Sequence, residues 1–108
     1  MKPVKPLDWA MIRGDTMSFN VEIENLQIDL TSCNFTVKTY KDKEIVFQKT
    51  LEDGCNKIEM GKYNVRVAPA DTAEISPGIY RMDLEVQWGD DVFTILWGTL
   101  KIIEDETT

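Results

Sequence analysis

Residues 79–103 read Ile79-Tyr80-Arg81-Met82-Asp83-Leu84-Glu85-Val86-Gln87-Trp88-Gly89-Asp90-Asp91-Val92-Phe93-Thr94-Ile95-Leu96-Trp97-Gly98-Thr99-Leu100-Lys101-Ile102-Ile103. In the first half, Tyr80, Met82, Leu84, Val86 and Trp88 alternate with Arg81, Asp83, Glu85 and Gln87. Successive side chains of a strand point to opposite faces, so this run describes a half-buried strand and argues against a helix. Gly89-Asp90-Asp91 is turn chemistry and joins it to a second strand as a hairpin. From Val92 to Ile103 the chain is apolar on both faces through Trp97, which suits a central strand or one covered by a partner.

The same period of two recurs upstream. Met17, Phe19, Val21 and Ile23 alternate with Ser18, Asn20, Glu22 and Glu24; Phe35 and Val37 alternate with Thr36 and Lys38. Ile45 and Phe47 follow, then Tyr63, Val65 and Val67 set against Asn64 and Arg66, and an earlier strand ends near Ile12. Lys41-Asp42-Lys43, Glu52-Asp53-Gly54 and Pro77-Gly78 fall between these runs as turns and loops. Pro69-Ala70-Asp71-Thr72-Ala73 predicts one helical turn, with Pro69 at its opening. About seven short strands with turns every 8–12 residues define an all-β fold, an antiparallel β-sandwich. The expectation is a single domain over 1–108, with segment 1–7 and tail 104–108 flexible.

Asp71-Thr72-Ala73 followed by Pro77-Gly78-Ile79-Tyr80 at the head of the long strand resembles the tyrosine corner of immunoglobulin-like sandwiches. There the Tyr hydroxyl bonds back to backbone a few residues upstream. Antibody-type domains place a cysteine two residues after that Tyr; here the residue is Met82.

Composition narrows the function classes. The chain carries 19 Asp and Glu against 12 Lys and Arg, a net charge of −7. That field repels a phosphate backbone and anionic membranes, so neither nucleic-acid binding nor membrane association is expected. No apolar stretch approaches the about 20 residues of a spanning helix, so no membrane insertion is expected. The basic start, Met1 to Pro6, is not followed by a signal-peptide core, so an unsecreted or already processed protein is expected. Cys33 begins a strand and Cys55 lies in a loop; two free thiols in a reducing compartment is the main reading, with a bridge as the alternative.

The absence of histidine removes the commonest general base, Ser-His and Cys-His nucleophile pairs and the commonest zinc ligand. The six glycines are scattered singly, so there is no phosphate-cradling loop. No catalytic, cofactor-binding or metal-ligating residue is therefore assigned, no cofactor is expected, and the chain reads as a non-enzyme. Arg13-Gly14-Asp15 matches the tripeptide read by integrins, but a Gly-Asp turn ahead of a strand accounts for it. Asp90-Asp91 and Glu104-Asp105-Glu106 have calcium-like chemistry, and a hairpin tip and solvated tail account for them. Trp88 shares the apolar face of its strand and reads as core. The face carrying Phe93, Ile95 and Trp97, or the opposite face with Val92 and Leu96, is a candidate partner surface. In the alternative, the second face packs against an N-terminal segment carrying Trp9.

In order along the chain come Ile12-Arg13-Gly14-Asp15-Thr16, Ile28-Asp29-Leu30-Thr31-Ser32, Ala68-Pro69-Ala70-Asp71-Thr72, Pro77-Gly78-Ile79-Tyr80 and Gly98-Thr99-Leu100-Lys101-Ile102. This order is similar to the small β-sandwich proteins of tailed bacteriophages and prophages, including the N-terminal domain of baseplate upper proteins. The likeness spans about Ile12 to Ile103 and implies a non-enzymatic docking module of a tail, baseplate or neck. Its implied partners are other phage structural proteins or further copies met through the last strand, in a virion assembled in the bacterial cytoplasm. The resemblance implies the docking module alone, and no receptor-binding, coiled-coil or enzymatic module after the sandwich is expected. The competing expectation is an extracellular bacterial adhesive or carbohydrate-binding immunoglobulin-like module.

Overall fold

A computed structural model describes residues 6–106; residues 1–5 and 107–108, and with them part of the two ends expected to be flexible, lie outside the described residues. The chain runs β1 (Leu7–Ile12), β2 (Met17–Glu22), β3 (Ser32–Thr39), β4 (Ile45–Leu51), β5 (Gly54–Glu59), β6 (Lys62–Val67), α1 (Pro69–Thr72), β7 (Gly78–Trp88) and β8 (Asp91–Ile103). Pairing sorts the strands into two layers, β1-β8-β7-β3-β4 and β5-β6-β2, continuous at the corner where β4 turns into β5. All neighbours are antiparallel except β1 on β8 and a two-pair step between β4 and β5. This is the all-β, immunoglobulin-like sandwich that the alternation predicted. The β2-β6-β5 layer faces β8-β7-β3, with β4 added to the latter as in variable-type domains.

Alternation decides what goes inside. Phe35, Val37, Val65, Val67, Leu84, Val86 and Leu100 are each fully buried between the layers. Each such side chain contributes about 1.5–3 kcal/mol by leaving water. Tyr63 is 1% exposed, and its hydroxyl accepts the Leu30 N–H at 3.0 Å, anchoring the loop between β2 and β3 on the core. Tyr80 builds the predicted corner: its hydroxyl donates to the Ser76 carbonyl. The position two residues on is Met82, 2% exposed, so the sheets are held there by packing and not by a bridge.

Three expectations are corrected. Among the described residues there are eight strands, in line with the expected seven or so, and β5 is one the alternation did not mark: in Gly54–Glu59 only Cys55 is buried, and Ile58 is 53% exposed. Cys55 therefore lies in a strand and not in a loop. Leu7, placed in the flexible segment, is the first residue of β1 and pairs with Gly98. In the tail, Asp105 is fastened to the Arg13 guanidinium at 2.9 Å.

Candidate docking surface

The last strand changes character at Gly98. β1 enters alongside β8 at the pair Leu7–Gly98 and runs parallel to it as far as Ile12–Ile103. A Cβ on Gly98 would sit 1.9 Å from the Leu7 carbonyl oxygen and 2.6 Å from its nitrogen. Gly98 also has φ 151°. Only glycine lets two backbones approach this closely in that conformation. Upstream, Asp91–Leu96 is paired with β7 on one side, and no second strand among the described residues pairs with it on the other. Pro6, just before β1, has no N–H with which to continue the ladder. Half of β8 is thus an open sheet edge.

A bulge sets which side chains that open half presents. Phe93 pairs with Val86 and Thr94 with Glu85, but Leu84 pairs with Leu96, so Ile95 is the extra residue. One inserted residue shifts the alternation. Phe93 and Ile95 turn inward and pack on the core, Leu96 is 8% exposed, and Trp97 turns outward at 44%. The proposed face of Phe93, Ile95 and Trp97 is therefore split, and so is its opposite, since Val92 is 52% exposed while Leu96 is buried. The outward row of the open half is Val92, Thr94 and Trp97.

Two aromatic contacts hold this end. Trp88, predicted as core, is half-buried near the hairpin tip and stacks on Phe93, with ring centroids 4.6 Å apart. Trp9 meets Phe19 edge-on at 4.9 Å, and Phe19 meets Phe35 at 5.3 Å. Trp9 therefore plugs the sandwich from β1 instead of covering a face of β8. The tip turns through Gly89 (φ 58°) and Asp90, the positive first residue of a two-residue hairpin loop.

Negative charge borders the open edge. Asp83 lies opposite Trp97 and Glu85 opposite Thr94, with exposed Asp90 and Asp91 at the tip. Burial holds the Asp83 carboxyl above its ordinary value, Lys38 opposes that, and Glu85 adds to it. Farther along the same face the chemistry changes: Arg81 donates to the Tyr40 carbonyl at 2.9 Å and lies 4.4 Å over its ring. A second open edge is β2, which pairs with β6 alone among the described residues. Its charge is mixed: Lys62 and Arg66 of β6 lie opposite exposed Glu22 and Ser18, and Lys62 also pairs with Glu59 at 3.7 Å, which leaves Arg66 as the uncompensated cation of this border. Asn64 ties this edge together, donating to the Ser18 hydroxyl and the Asn20 side-chain oxygen, each at 2.9 Å.

The other sequence candidates resolve into structure. Arg13-Gly14-Asp15 is the turn from β1 to β2: the Gly14 N–H donates to buried Thr72 at 2.8 Å, and Arg13 is engaged by Asp105. The guanidinium holds the Asp105 carboxyl below its ordinary value. Asp71 accepts the Ala68 N–H at 2.7 Å and pairs with Lys49 at 3.0 Å, fixing α1 at the same pole. The turn reading thus accounts for the tripeptide. Asp90 and Asp91 sit at the hairpin tip, and among the described residues no group of three or more Cys, Asp or Glu is gathered to hold a metal ion. No helix is long and apolar enough to cross a membrane, again among the described residues. Cys33 and Cys55 are both buried as free thiols. The neighbouring Cys55 thiol and burial push the Cys33 thiol up, and the Cys55 thiol donates to the Lys49 carbonyl at 3.5 Å.

The strand order, the tyrosine corner and the opposed layers define an immunoglobulin-like β-sandwich. Among solved structures, the chain is similar to the immunoglobulin domains of the ZIG-8–RIG-5 IG1–IG1 heterodimer. The identity is 10% and the TM-score 0.46, over 93% of this chain and 84% of that chain. No protein-family model matches the chain, and no curated protein matches it in sequence.

Sequence reasoning missed Gly98 and the enclosed and open halves of β8 that it separates. A glycine inside a strand pattern is the signal that could have found it, since such a glycine often marks close backbone approach. The edges themselves depend on which strands become neighbours, and local patterning does not carry that information.

Proposed function

We propose that the protein is a non-catalytic structural subunit of a phage or prophage tail, baseplate or neck. In this reading it assembles by accepting the β2 edge of a neighbouring copy along the open half of its β8. The observation that carries it is the stretch Asp91–Leu96, along which no second strand among the described residues pairs, with Val92 52% exposed in its outward row. An exposed edge is a template for another strand, and natural sheets usually blunt or cover it. Here the edge is left long and partly apolar. The donor edge, Met17–Glu22, is of matching length and flanked by Arg66, while the acceptor edge is flanked by Asp83 and Glu85. Main-chain hydrogen bonds would supply affinity and the flanking charges the polarity of docking. Joining two different edges is a head-to-tail contact, which closes into rings or extends as filaments, the geometries of a tail assembly. The phage assignment itself rests on the order of turn motifs along the sequence, as does the proposed place of assembly, the bacterial cytoplasm.

Light scattering across a concentration series tests this. The unaltered chain should form discrete species larger than a dimer, while Trp97→Lys and Asn20→Lys should each be monomeric. Mixing the two variants should restore one contact and stop at a dimer, because each retains the edge the other lacks. A monomer at every concentration for the unaltered chain would overturn self-assembly. Clear, competable hits on a glycan array by that monomer would favour the adhesive module instead.

A further inference from the structure

The two layers present different outer faces. On β2 and β6 the outward residues include Ser18, Asn20, Glu22, Asn64 and Arg66, all polar, as suits a solvated sheet face. The outer face of β1-β8-β7-β3-β4 is of another kind. Of the ten large apolar side chains left exposed among the described residues, Ile12, Tyr40, Ile45, Ile79, Trp97 and Ile103 lie on it, each 41% exposed or more. Apolar groups gathered on one face mark an interaction surface. Register sets the charges among them in rows that cross the strands. Thr99, Arg81 and Lys38 form one row, with Lys101 beyond it; Trp97, Asp83 and Thr36 form the next, with Glu85 beyond that. Cations therefore occupy one end of the face and carboxylates the other. Asp8, at the β1 end of the cationic row, accepts the Thr99 hydroxyl. Arg81 is held in place by the Tyr40 carbonyl and ring. Among the described residues no ion pair joins Lys38, Arg81 or Lys101 to Asp83 or Glu85.

We propose that this face pairs with the same face of a second copy, about a twofold axis that runs across the strands between the Arg81 row and the Asp83 row. Two identical sheet faces can meet about an axis along their strands or across them. An axis along the strands keeps every residue at its own level, so cations meet cations and carboxylates meet carboxylates. An axis across the strands exchanges the two ends. Arg81 of each copy then meets Asp83 of the other, and Lys38 and Lys101 move over the end that carries Glu85. Tyr40, Ile45 and Ile79 leave water in the same step. The occupant is a second copy because the face itself supplies both members of each charge pair, at the positions one symmetry operation brings together. This contact goes beyond edge docking, since it uses a sheet face and leaves the β8 and β2 edges available. From the spacing and rise of strands, five of them give a footprint of roughly 500 Å². A standard stable complex buries roughly 800 Å² a side. Isolated chains should therefore pair with a Kd on the order of a millimolar, and the contact should tell in edge-joined rows, where many faces meet at once.

The test uses the full chain carrying Asn20→Lys, whose donor edge is blocked, so that face pairing is read apart from edge docking. Amide NMR shifts are followed from micromolar to millimolar concentration. Those of Lys38, Tyr40, Ile79, Arg81 and Asp83 should move together, and adding Ile79→Asp should abolish the movement. Ile79 is 56% exposed, so this variant keeps its fold. Charge reversal then tests the axis. Arg81→Glu and Asp83→Lys, each added to Asn20→Lys, should stay monomeric alone, because like charges meet twice. Mixed in equal amounts they should pair at least as well as the parent, because both contacts of the mixed pair join opposite charges. No movement at millimolar concentration, movement confined to other strands, or a mixture that pairs no better than its components would overturn the proposal. Light scattering of the unaltered chain decides edge docking independently of these results.

Discussion

The two halves of β8 share one strand and one partner, β7, yet they do opposite things. Gly98–Ile103 is enclosed: β1 lies along its outer side, Leu100 and Ile102 are buried, and the next turn is pinned by the Arg13 N–H donating to the Ile103 carbonyl at 2.8 Å. Asp91–Leu96 has no second strand beside it among the described residues, is bulged at Ile95, and is edged by carboxylates. Composition does not distinguish them, since both are rich in apolar residues. The difference comes from one glycine that admits a neighbouring backbone and one extra residue that turns the alternation over. In an immunoglobulin-like sandwich, where edges are the places for pairing, such small local features decide which part of a strand stays available.

The largest expected effect comes from erasing the boundary. Gly98→Ala places a methyl group against the Leu7 backbone in a conformation that disfavours any side chain. We expect a loss of about 3 kcal/mol or more in urea unfolding, with β1 amides losing protection first, because β1 must detach. Next comes the contrast between the halves themselves. Leu100→Ala, in the enclosed half, should cost about 2–5 kcal/mol by leaving a cavity. Thr94→Ala, exposed in the open half, should change stability by less than about 0.5 kcal/mol in the same measurement. Equal losses would mean that the open half is not open.

The smallest effect sharpens the comparison at its border. Asp83, opposite Trp97, has its carboxyl raised above the ordinary 3.8 by burial. The fold thus disfavours the charged form, and stability declines as pH rises from about that ordinary value through the raised one. Asp83→Asn should therefore be more stable than the unaltered chain at neutral pH, by less than about 1 kcal/mol given its partial exposure. The gain should vanish as pH falls below 3.8, where both states of the unaltered chain are protonated. Urea melts at pH 7 and pH 3.5 measure it, and a gain that persists at the lower pH would contradict the assigned cause.

Much of the architecture is legible in the residues. The alternation from Tyr80 to Trp88, the corner built by Pro77-Gly78-Ile79-Tyr80 and the Gly89 turn each state a local rule that the fold obeys. β5 was illegible because a single inward residue, Cys55, makes no pattern. The inward turn of Phe93 and Ile95 was illegible because a bulge is a mismatch between two strands and has no signature in either alone. The open edges and the cross-strand rows of the outer sheet face are products of strand order. They join residues far apart in the chain, where period-two reasoning has no reach.

Amide hydrogen exchange across β8, compared between dilute and concentrated protein, tests the central claim most directly. In dilute solution the outward amides of Gly98–Ile103 should be protected by β1, while those of Val92–Leu96 should exchange freely. On concentration, protection should appear in Val92–Leu96 and in Met17–Glu22 together. Protection already present along Val92–Leu96 in the dilute monomer, or new protection confined to other strands, would contradict the account.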